Sequence, residues 1–555
     1  MIHLCLAKMS ETGMEQKYIQ EAFDTQWVAP LGPNVNAFEK DLEQFVNCHL
    51  DQASSPCHLE QASSPCHLDH PSVISSVVEK SHEISPCASL SRDDKGNMLS
   101  RDDKGGSRDD KALSKRVVAL SNGTAAVHLA LIACGVGPGD EVIVQSFTFC
   151  ASSHPVTYLG ATPVFVDSEP DTWNIDPDLL EEAIKDRIAK TGKAPKAIVP
   201  VALYGMPYNV DRIMEIANRY EIPVIEDAAE GFGSRYKGQV LGTAGRYGVL
   251  SFNGNKMITT SGGGALICKD KTDWDKIMWL ATQARESYPY YQHETIGYNY
   301  RMSNICAGIG RGQMTVLNAH IAHHHHVQAL YEQLLADVPG ITVHTQPQCH
   351  LDQPTCHLDQ ASSPCHLDHP TSPCHLDQTK CVERSQRFLD SARNDMGNSR
   401  DDKPIYDSNY WLTTITLDPS LKVKGQENAY KQIITGAVGG AAGVIHAAST
   451  PVTDCQPNDN VEAMRLALLA AGIESRPLWK PMHKQPVYCR TIENGKLKIE
   501  NLPCGAECLT YDNSVAYVNG VSEGLFKVGM CLPTGPCVTD EQVAYIANTI
   551  KASIL

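Results

Sequence analysis

Two polar residues that directly follow apolar runs have the clearest chemical potential in this sequence. Lys256 comes after Leu250–Phe252 and precedes the glycine string Gly262–Gly264. A lysine held among small polar residues can form a Schiff base when its amine is partly deprotonated. Asp227 ends the run that starts at Pro223, and strand ends are where α/β sheets place ligand contacts. Two other interpretations stay open: Lys256 as a solvated surface lysine, and Asp227 as a helix cap.

Two further stretches could complete a site for a flat, phosphorylated ligand. In Ser121–Ala126, small residues link a predicted strand to a predicted helix, so backbone N–H groups and the helix dipole could hold an anion. Phe149 follows another predicted strand and could stack on a ring. Many such turns bind nothing, and Phe149 could equally pack in the core. The four features together match what pyridoxal phosphate requires: an anchor for the phosphate, a carboxylate for the pyridinium nitrogen, a lysine for the aldehyde and an aromatic plate.

Alternating apolar runs and amphipathic stretches must position these residues. From residue 116 onward the pattern is that of an α/β protein. The predicted strands are Arg116–Leu120, Glu141–Val144, Val164–Val166, Ala197–Val201, Pro223–Ile225, Gly248–Phe252 and Gly264–Cys268. We predict helices over Ala125–Cys134 and Asp211–Tyr220, and one long helical stretch over Asn304–Ala336. The expected architecture is a large, mostly parallel sheet domain followed by a smaller C-terminal α+β domain.

Composition excludes several classes of protein. The chain has 555 residues, a formal net charge of −17 and 42% hydrophobic residues. The acidic balance argues against nucleic acid or an anionic membrane as the main partner, and the apolar content excludes wholesale disorder. No run of about 18 apolar residues suggests a membrane span, and the N-terminus lacks the pattern of a secretory signal. We therefore expect a cytoplasmic protein.

Two repetitive blocks interrupt the α/β pattern. The word Cys-His-Leu-Asp/Glu recurs within 48–111 and 348–403, followed in each block by Ser-Arg-Asp-Asp, and nine of the twenty cysteines lie there. We interpret the blocks as one low-complexity element inserted twice, at loops where added length costs little. The predicted domain division is an N-terminal segment 1–47, an insertion 48–111, a cofactor-binding domain 112–320, an insertion 348–403, and a small domain from 321–347 and 404–555.

Metal binding is the alternative interpretation of the cysteine- and histidine-rich words. Thiolate, imidazole and carboxylate all bind zinc, but adjacent Cys-His pairs do not match the usual ligand spacing. The run His323–His326 lies in a helical pattern, where consecutive residues point in different directions. We expect no metal site, and interpret this run as part of a surface and interface helix.

Longer strings carry a family resemblance. SNGTAAVHLAL, EDAAEGFGSRYKG, SFNGNKMITTSGGG and IGYNYRMSNICAGIG resemble the DegT/DnrJ/EryC1/StrS family of sugar aminotransferases, whose members have the type I aminotransferase fold. WVAPLGPNV and ESRPLWKPMHKQPV resemble the branch that aminates UDP-4-keto-6-deoxy-N-acetylglucosamine. The resemblance covers nearly everything except the two repetitive blocks and parts of 420–457 and 489–520.

The resemblance implies a role for individual residues. Lys256 corresponds to the lysine that binds the cofactor covalently, Asp227 to the partner of the pyridinium nitrogen and Glu230 to a neighbour of the ring hydroxyl. Phe149 takes the position that stacks on the ring. The implied phosphate contacts are Gly123, Thr124, Ala125 and Ser251, with Asn299 supplied by the neighbouring subunit of a homodimer. The implied nucleotide-sugar contacts are Trp27, Arg476, Trp479 and His483. Gln26 replaces an asparagine common in close relatives.

The implied reaction has two halves, in which glutamate gives its amino group and leaves as 2-oxoglutarate, and a 4-keto nucleotide sugar then receives the group. Sugar 3-dehydratases of the same fold carry histidine in place of the lysine, whereas Lys256 is present here. The remaining alternative is a non-catalytic Cys/His-rich metal-binding or interaction protein on a decayed aminotransferase scaffold. Intact Asp227, Lys256 and Ser251 argue against decay.

Overall fold

The structure is a computed structural model of the chain. It describes residues 1–48, 115–347, 405–430, 455–488 and 515–555, with the backbone of two short hairpins, Ser91–Arg92 with Met98–Leu99 and Arg490–Glu493 with Lys496–Ile499. Apart from Cys48, the cysteines of the repetitive blocks lie outside the described residues. The interpretation of those blocks therefore stays a prediction.

The elements alternate along the chain as the sequence pattern predicts. The helices are α1 (Met14–Asp24), α2 (Pro33–Val46), α3 (Gly123–Ala133), α4 (His154–Tyr158), α5 (Pro177–Thr191), α6 (Val210–Arg219), α7 (Lys271–Ala281), α8 (Asn304–Met314), α9 (Leu317–Leu335), α10 (Asp459–Ala470), α11 (Val521–Val528) and α12 (Asp540–Ser553). Outside the two hairpins, the strands are β1 (Arg116–Leu120), β2 (Glu141–Gln145), β3 (Thr162–Val166), β4 (Ala197–Val199), β5 (Ile225–Asp227), β6 (Arg235–Tyr236), β7 (Gln239–Val240), β8 (Tyr247–Ser251), β9 (Gly264–Cys268), β10 (Ile341–Val343), β11 (Tyr406–Asp407), β12 (Thr413–Leu417), β13 (Arg476–Pro477), β14 (Val515–Tyr517) and β15 (Gly529–Leu532).

One large sheet carries the strand ends that the sequence analysis singled out. Its order is β1-β9-β8-β5-β4-β2-β3-β14, with the β5–β4 junction made by isolated bridges, including Val201 to Asp227. Only β9 among these strands runs antiparallel to its neighbours. Successive residues of β1 enter two different cores, Val117 and Ala119 on one face and Val118 and Leu120 on the other. Both faces are covered, which explains why these strands read as continuous apolar runs.

A smaller antiparallel sheet forms the second layer system. Its order is β10-β12-β15-β13, and α9, α10 and α12 pack on it around a separate core that includes Tyr331, Ile415 and Ile546. The predicted architecture, a large mostly parallel sheet with a smaller α+β domain, is confirmed.

The long helix predicted over Asn304–Ala336 is two helices. α8 ends at Met314, where Thr315 caps it and donates its hydroxyl to the carbonyl of Gly312 at 2.6 Å, and α9 begins at Leu317. The two β-branched residues Thr315 and Val316 lie at the break, and such residues have lower helix propensity. Hydrophobic periodicity alone did not reveal this break.

Carboxylates of α2 cap the edge strand β1. Glu43 accepts a hydrogen bond from the backbone of Val117 at 3.1 Å, and Glu39 accepts one from Ala119 at 2.8 Å. Glu39 also pairs with the buried Arg301. The exposed side of an edge strand is a template for pairing with another chain, and these side chains occupy it.

At each repetitive block, an amide side chain before the block is hydrogen-bonded to the backbone after it. Asn47 accepts from the backbone N–H of Lys115 at 2.9 Å and donates to its carbonyl at 3.0 Å. Gln346 accepts from the backbone N–H of Ser408 at 2.9 Å. Each block therefore leaves and rejoins the described structure at nearly one point.

None of the helices within the described residues has the length and apolar character needed to cross a bilayer.

Candidate active site

Lys256 lies in the loop between β8 and β9, at the carboxyl end of the large sheet. Its Nζ is 3.5 Å from Oε1 of Glu230 and 4.0 Å from the ring centre of Trp411. Only 14% of the lysine side chain is exposed. The ammonium is thus confined between a carboxylate and an aromatic face, and the interpretation as a solvated surface lysine does not fit this environment.

Asp227 ends β5 and is buried. Its Oδ2 accepts a hydrogen bond from the Ser152 hydroxyl at 2.6 Å, and its Oδ1 accepts one from the backbone of Ala229 at 3.1 Å. Burial raises the pKa of Asp227, whereas these hydrogen bonds and the positive charge of Lys256 act to lower it. A buried carboxylate of this kind favours a cationic partner, such as a protonated ring nitrogen.

Glu230 lies beside Lys256 and is fixed by the backbone. Its Oε2 accepts from the N–H of Tyr204 at 2.8 Å, and burial raises the pKa of the carboxyl. Tyr204 holds a left-handed backbone conformation at φ 54°, which is costly for a residue with a side chain. The surrounding contacts keep it there, since the Tyr204 hydroxyl also accepts a hydrogen bond from the backbone of Trp479 at 2.8 Å.

The start of α3 lies next to the end of β8. Asn122 caps the helix by accepting from the N–H of Ala125 at 2.7 Å, which leaves the N–H groups of Gly123 and Thr124 without an intrahelical partner. A Cβ on Gly123 would lie 3.2 Å from Cβ of Ser251. The four predicted phosphate-binding residues of this subunit are therefore grouped at one helix N-terminus.

Two aromatic rings lie over the same strand ends. Phe149 is 53% exposed, and its ring meets that of Trp479 edge to face at 5.8 Å. Trp479 lies at the same distance from the ring of Tyr204. The exposed face of Phe149 is available to a flat ligand, and core packing does not account for it.

Four other predicted site residues differ in exposure: two lie on the surface, one on β13 and one is buried. Trp27 is 44% exposed and Asn299 is exposed, on different surface segments. Arg476 on β13 lies 3.6 Å from Glu474. His483 is 3% exposed and both of its ring nitrogens have contacts, Nδ1 with the Ser146 hydroxyl at 2.6 Å and Nε2 with Glu523 at 3.2 Å.

Sequence reasoning missed four residues that contact the central groups: Ser152, Tyr204, Asn409 and Trp411. Ser152 lies three positions after Phe149, within the loop already singled out, so its hydroxyl could have been noted. Asn409 donates to the backbone carbonyl of Glu230 at 2.9 Å. Asn409 and Trp411 follow the second repetitive block, and no spacing signal links them to Lys256.

The residues present fit pyridoxal phosphate. Asp227 pairs with Val249 of β8, the strand that leads to Lys256, and Lys256 Nζ lies 3.5 Å from Glu230, so the carboxylates and the lysine meet at one set of strand ends. N–H groups without an intrahelical partner, which could bind a phosphate, lie on the neighbouring strand-to-helix turn. No group of three or more potential metal ligands occurs among the described residues. In the run His323–His326, the rings of His324 and His325 contact backbone carbonyls and that of His326 contacts Asp540.

Comparison with known proteins gives the same result. The model of the DegT/DnrJ/EryC1/StrS aminotransferase family matches residues 110–362. EpsN of Bacillus subtilis, named as a pyridoxal phosphate-dependent aminotransferase, is 32% identical over 539 residues, which is 97% of this chain and 92% of that protein. GDP-perosamine synthase of Caulobacter vibrioides is 46% identical over 222 residues, 40% of this chain and 58% of that protein.

Solved structures share the fold. A DegT/DnrJ/EryC1/StrS aminotransferase from Brucella abortus superposes with a TM-score of 0.60 at 20% identity, covering 98% of this chain and 95% of that one. The sugar aminotransferase Spr1654 from Streptococcus pneumoniae, in its PLP form, has a TM-score of 0.59 at 19% identity, covering 99% and 98%.

Fold and comparisons together define a pyridoxal phosphate-dependent aminotransferase of the type I fold. More particularly, the chain belongs to the DegT/DnrJ/EryC1/StrS aminotransferase family.

Proposed function

We propose that this enzyme transfers an amino group from glutamate to a nucleotide-linked 4-keto-6-deoxy sugar, namely UDP-4-keto-6-deoxy-N-acetylglucosamine. The observation that carries the proposal is the convergence of Lys256, Asp227 and Glu230 beside a helix N-terminus suited to a phosphate. Relatives named GDP-perosamine synthase and UDP-2-acetamido-2-deoxy-3-oxo-D-glucuronate aminotransferase support a nucleotide-sugar acceptor. The strings around Trp27 and Arg476 favour the UDP sugar.

When bound, the cofactor would supply an electron sink that makes the proton on the amino-donor α-carbon easier to remove. Asp227 holds the ring nitrogen in its protonated form, and Ser152 orients that carboxylate. Lys256 Nζ takes the proton from the donor α-carbon and, in the second half-reaction, serves as the proton carrier for C4 of the sugar. Glu230, next to Lys256, holds the ring hydroxyl.

The other predicted residues bind the cofactor and the nucleotide sugar. Gly123, Thr124, Ala125 and Ser251 hold the phosphate, and Phe149 covers the ring. Trp27, Arg476 and Trp479 contact the nucleotide sugar. His483 was predicted as a further contact of the nucleotide sugar. Its burial and its contacts with Ser146 and Glu523 favour a supporting role instead, in which it holds the loop that carries Trp479. These assignments rest on the family resemblance together with the geometry.

We also propose a homodimer in which Asn299 completes the phosphate site of the partner subunit. Residues 282–299 fold back on themselves through bridges Thr282–Asn299 and Arg285–His293. This arm exposes large apolar side chains, with Tyr291 at 77% and Ile296 at 80%. Exposed apolar patches of this kind mark interaction sites.

The test is incubation of purified enzyme with glutamate and a panel of UDP-, GDP- and dTDP-linked 4-keto sugars, with mass spectrometry of the amino sugar and assay of 2-oxoglutarate. We expect turnover to be highest with the UDP-N-acetylhexosamine. Lys256→Ala should lower turnover by at least about 1,000-fold because it removes the proton carrier, whereas Lys269→Ala, an exposed lysine past β9, should have no effect. Equal turnover by the Lys256→Ala variant and the wild type would refute the proposal, and preference for a GDP sugar would refute the choice of nucleotide.

A further inference from the structure

Trp411 lies against the catalytic lysine although it comes from the other domain. It lies two residues before β12 of the small sheet, 155 positions after Lys256, and is 2% exposed. Its ring faces Lys256 Nζ at 4.0 Å, and its indole N–H donates to the backbone carbonyl of Asn255 at 2.6 Å. One side chain thus holds the lysine at two points, the amine and the preceding peptide.

The lysine loop needs such a support. Gly254 lies two residues before Lys256, and a Cβ placed on it would meet no atom within 4 Å. Within the loop, the backbone N–H of Lys256 donates to the carbonyl of Asn253 at 3.0 Å, but the carbonyl of Asn255 takes its hydrogen bond from outside the loop. The bond from Trp411 to Asn255 restricts the peptide that aims Lys256.

The segment that carries Trp411 is itself held firmly. Asn409 donates to the carbonyls of Glu230 and Phe232 and accepts from the N–H of Trp411, all within 3.0 Å. The carbonyl of Tyr410 accepts from the His324 ring at 3.0 Å. The position of Trp411 is therefore tied to the strand-end loop that carries Glu230 and to helix α9.

We propose that Trp411 is a positioning residue for transamination, which holds the amine and the peptide of Lys256 so that the lysine meets the cofactor and the substrate carbon in one orientation. This role rests on the proposed function of Lys256. A residue next to the small sheet would thus help to position the catalytic lysine. The orientation of Lys256 would then depend on how the small sheet packs against the large one.

The test compares Trp411→Phe, which keeps an aromatic face but loses the indole donor, with Trp411→Leu, which loses both. Misplacement of a reacting group by about 1 Å can lower the rate by about 100-fold. We expect kcat to fall about 10- to 100-fold in Trp411→Leu and less in Trp411→Phe, with KM for glutamate and the keto sugar within about twofold of wild type. Pyridoxal phosphate should also combine more slowly with the cofactor-free variants, as followed by the visible absorption of the bound cofactor.

Trp274→Phe is the matched control. The Trp274 indole also donates to a backbone carbonyl, that of Val117 at 3.0 Å, and also has a cation over its ring, Arg116 at 5.2 Å. It lies on α7, away from Lys256, and should change neither kcat nor the rate of cofactor binding.

Melting temperatures of all variants separate stability from positioning. Wild-type-like kcat and cofactor binding in both Trp411 variants would overturn the role of Trp411, as would a raised KM at unchanged kcat. If the wild type itself neither binds cofactor nor transaminates, the proposed function fails together with this role.

Discussion

At the scale of single residues, the site depends on two buried carboxylates that share one lysine. Asp227 and Glu230 both have raised pKa values because they are buried, and Lys256 is the cation that acts on both. The types of Asp227 and Lys256 and their places after strands could be read from the sequence, as could the turn at Gly123, whereas the role of Glu230 came from the family resemblance. Trp411, Asn409 and Tyr204 could not, because their roles depend on backbone contacts between segments far apart in the chain.

Ser152→Ala tests the support of Asp227. The hydroxyl donates to a buried carboxylate, and a hydrogen bond to a charged group is worth about 1.5–3 kcal/mol. Its loss should raise the pKa of Asp227 further and weaken pyridoxal phosphate binding by about tenfold or more, measured by titrating cofactor-free protein. The control is Ser153→Ala, since the Ser153 hydroxyl contacts Tyr488 and the Cys150 carbonyl instead. Equal loss in the two variants would contradict this role for Ser152.

At the scale of elements, the hydrophobic periodicity predicted seven of the eight strands of the large sheet, each end within two residues of the observed one. It missed the edge strand β14, which is only three residues long. It did not predict the break between α8 and α9, because α8 and the first turn of α9 pack on the same core, through Met314 and Leu317, and the apolar pattern continues across the short cap. The helix packing also depends on contacts that pattern does not show: a Cβ on Gly310 would lie 2.7 Å from the ring of Phe38 on α2.

Buried histidines at the small domain should make stability depend on pH. Burial lowers the pKa of His324 on α9, and of His344 after β10, to about 3. In the unfolded chain a histidine has a pKa of about 6.5, so below that pH the unfolded state binds more protons than the folded state. The free energy of unfolding should fall as pH drops from about 6.5 toward 3, by on the order of 1 kcal/mol per pH unit for each histidine.

Urea unfolding at several pH values checks this dependence. His324→Asn keeps a donor for the Tyr410 carbonyl but cannot be protonated, and should flatten the pH dependence. His326→Asn, whose histidine contacts Asp540 near the surface, is the comparison. An identical slope in wild type and His324→Asn would be the contrary result.

At the scale of the whole molecule, the described subunit leaves an aromatic arm uncovered, and the proposed dimer covers it. The acidic composition argued against nucleic acid as the main partner, but composition could not identify a partner subunit. The resemblance implied that Asn299 contacts the phosphate site of the partner subunit. The structure shows that Asn299 is exposed on this arm, far along the chain from Gly123.

Mixing two inactive variants tests whether active sites are shared. In a Lys256→Ala and Asn299→Ala heterodimer, one site keeps both a lysine and its partner's asparagine, and the other loses both. Random re-association makes about half of the dimers mixed, so about a quarter of wild-type activity should return. Each variant alone is the control. No recovery on mixing, with heterodimers verified by mass, would place Asn299 in its own subunit's site.

The paired amide contacts at Asn47 and Gln346 have a practical consequence for engineering. Both amide contacts are made by residues outside the repetitive blocks. The length of each block therefore need not affect the geometry of the proposed active site. The junction at Asn47 and Lys115 is therefore a natural place to graft a reporter or an affinity handle. The junction at Ser408 is closer to the proposed active site, since only two residues separate it from Trp411. A graft there could shift Trp411 and thereby change the position of Lys256.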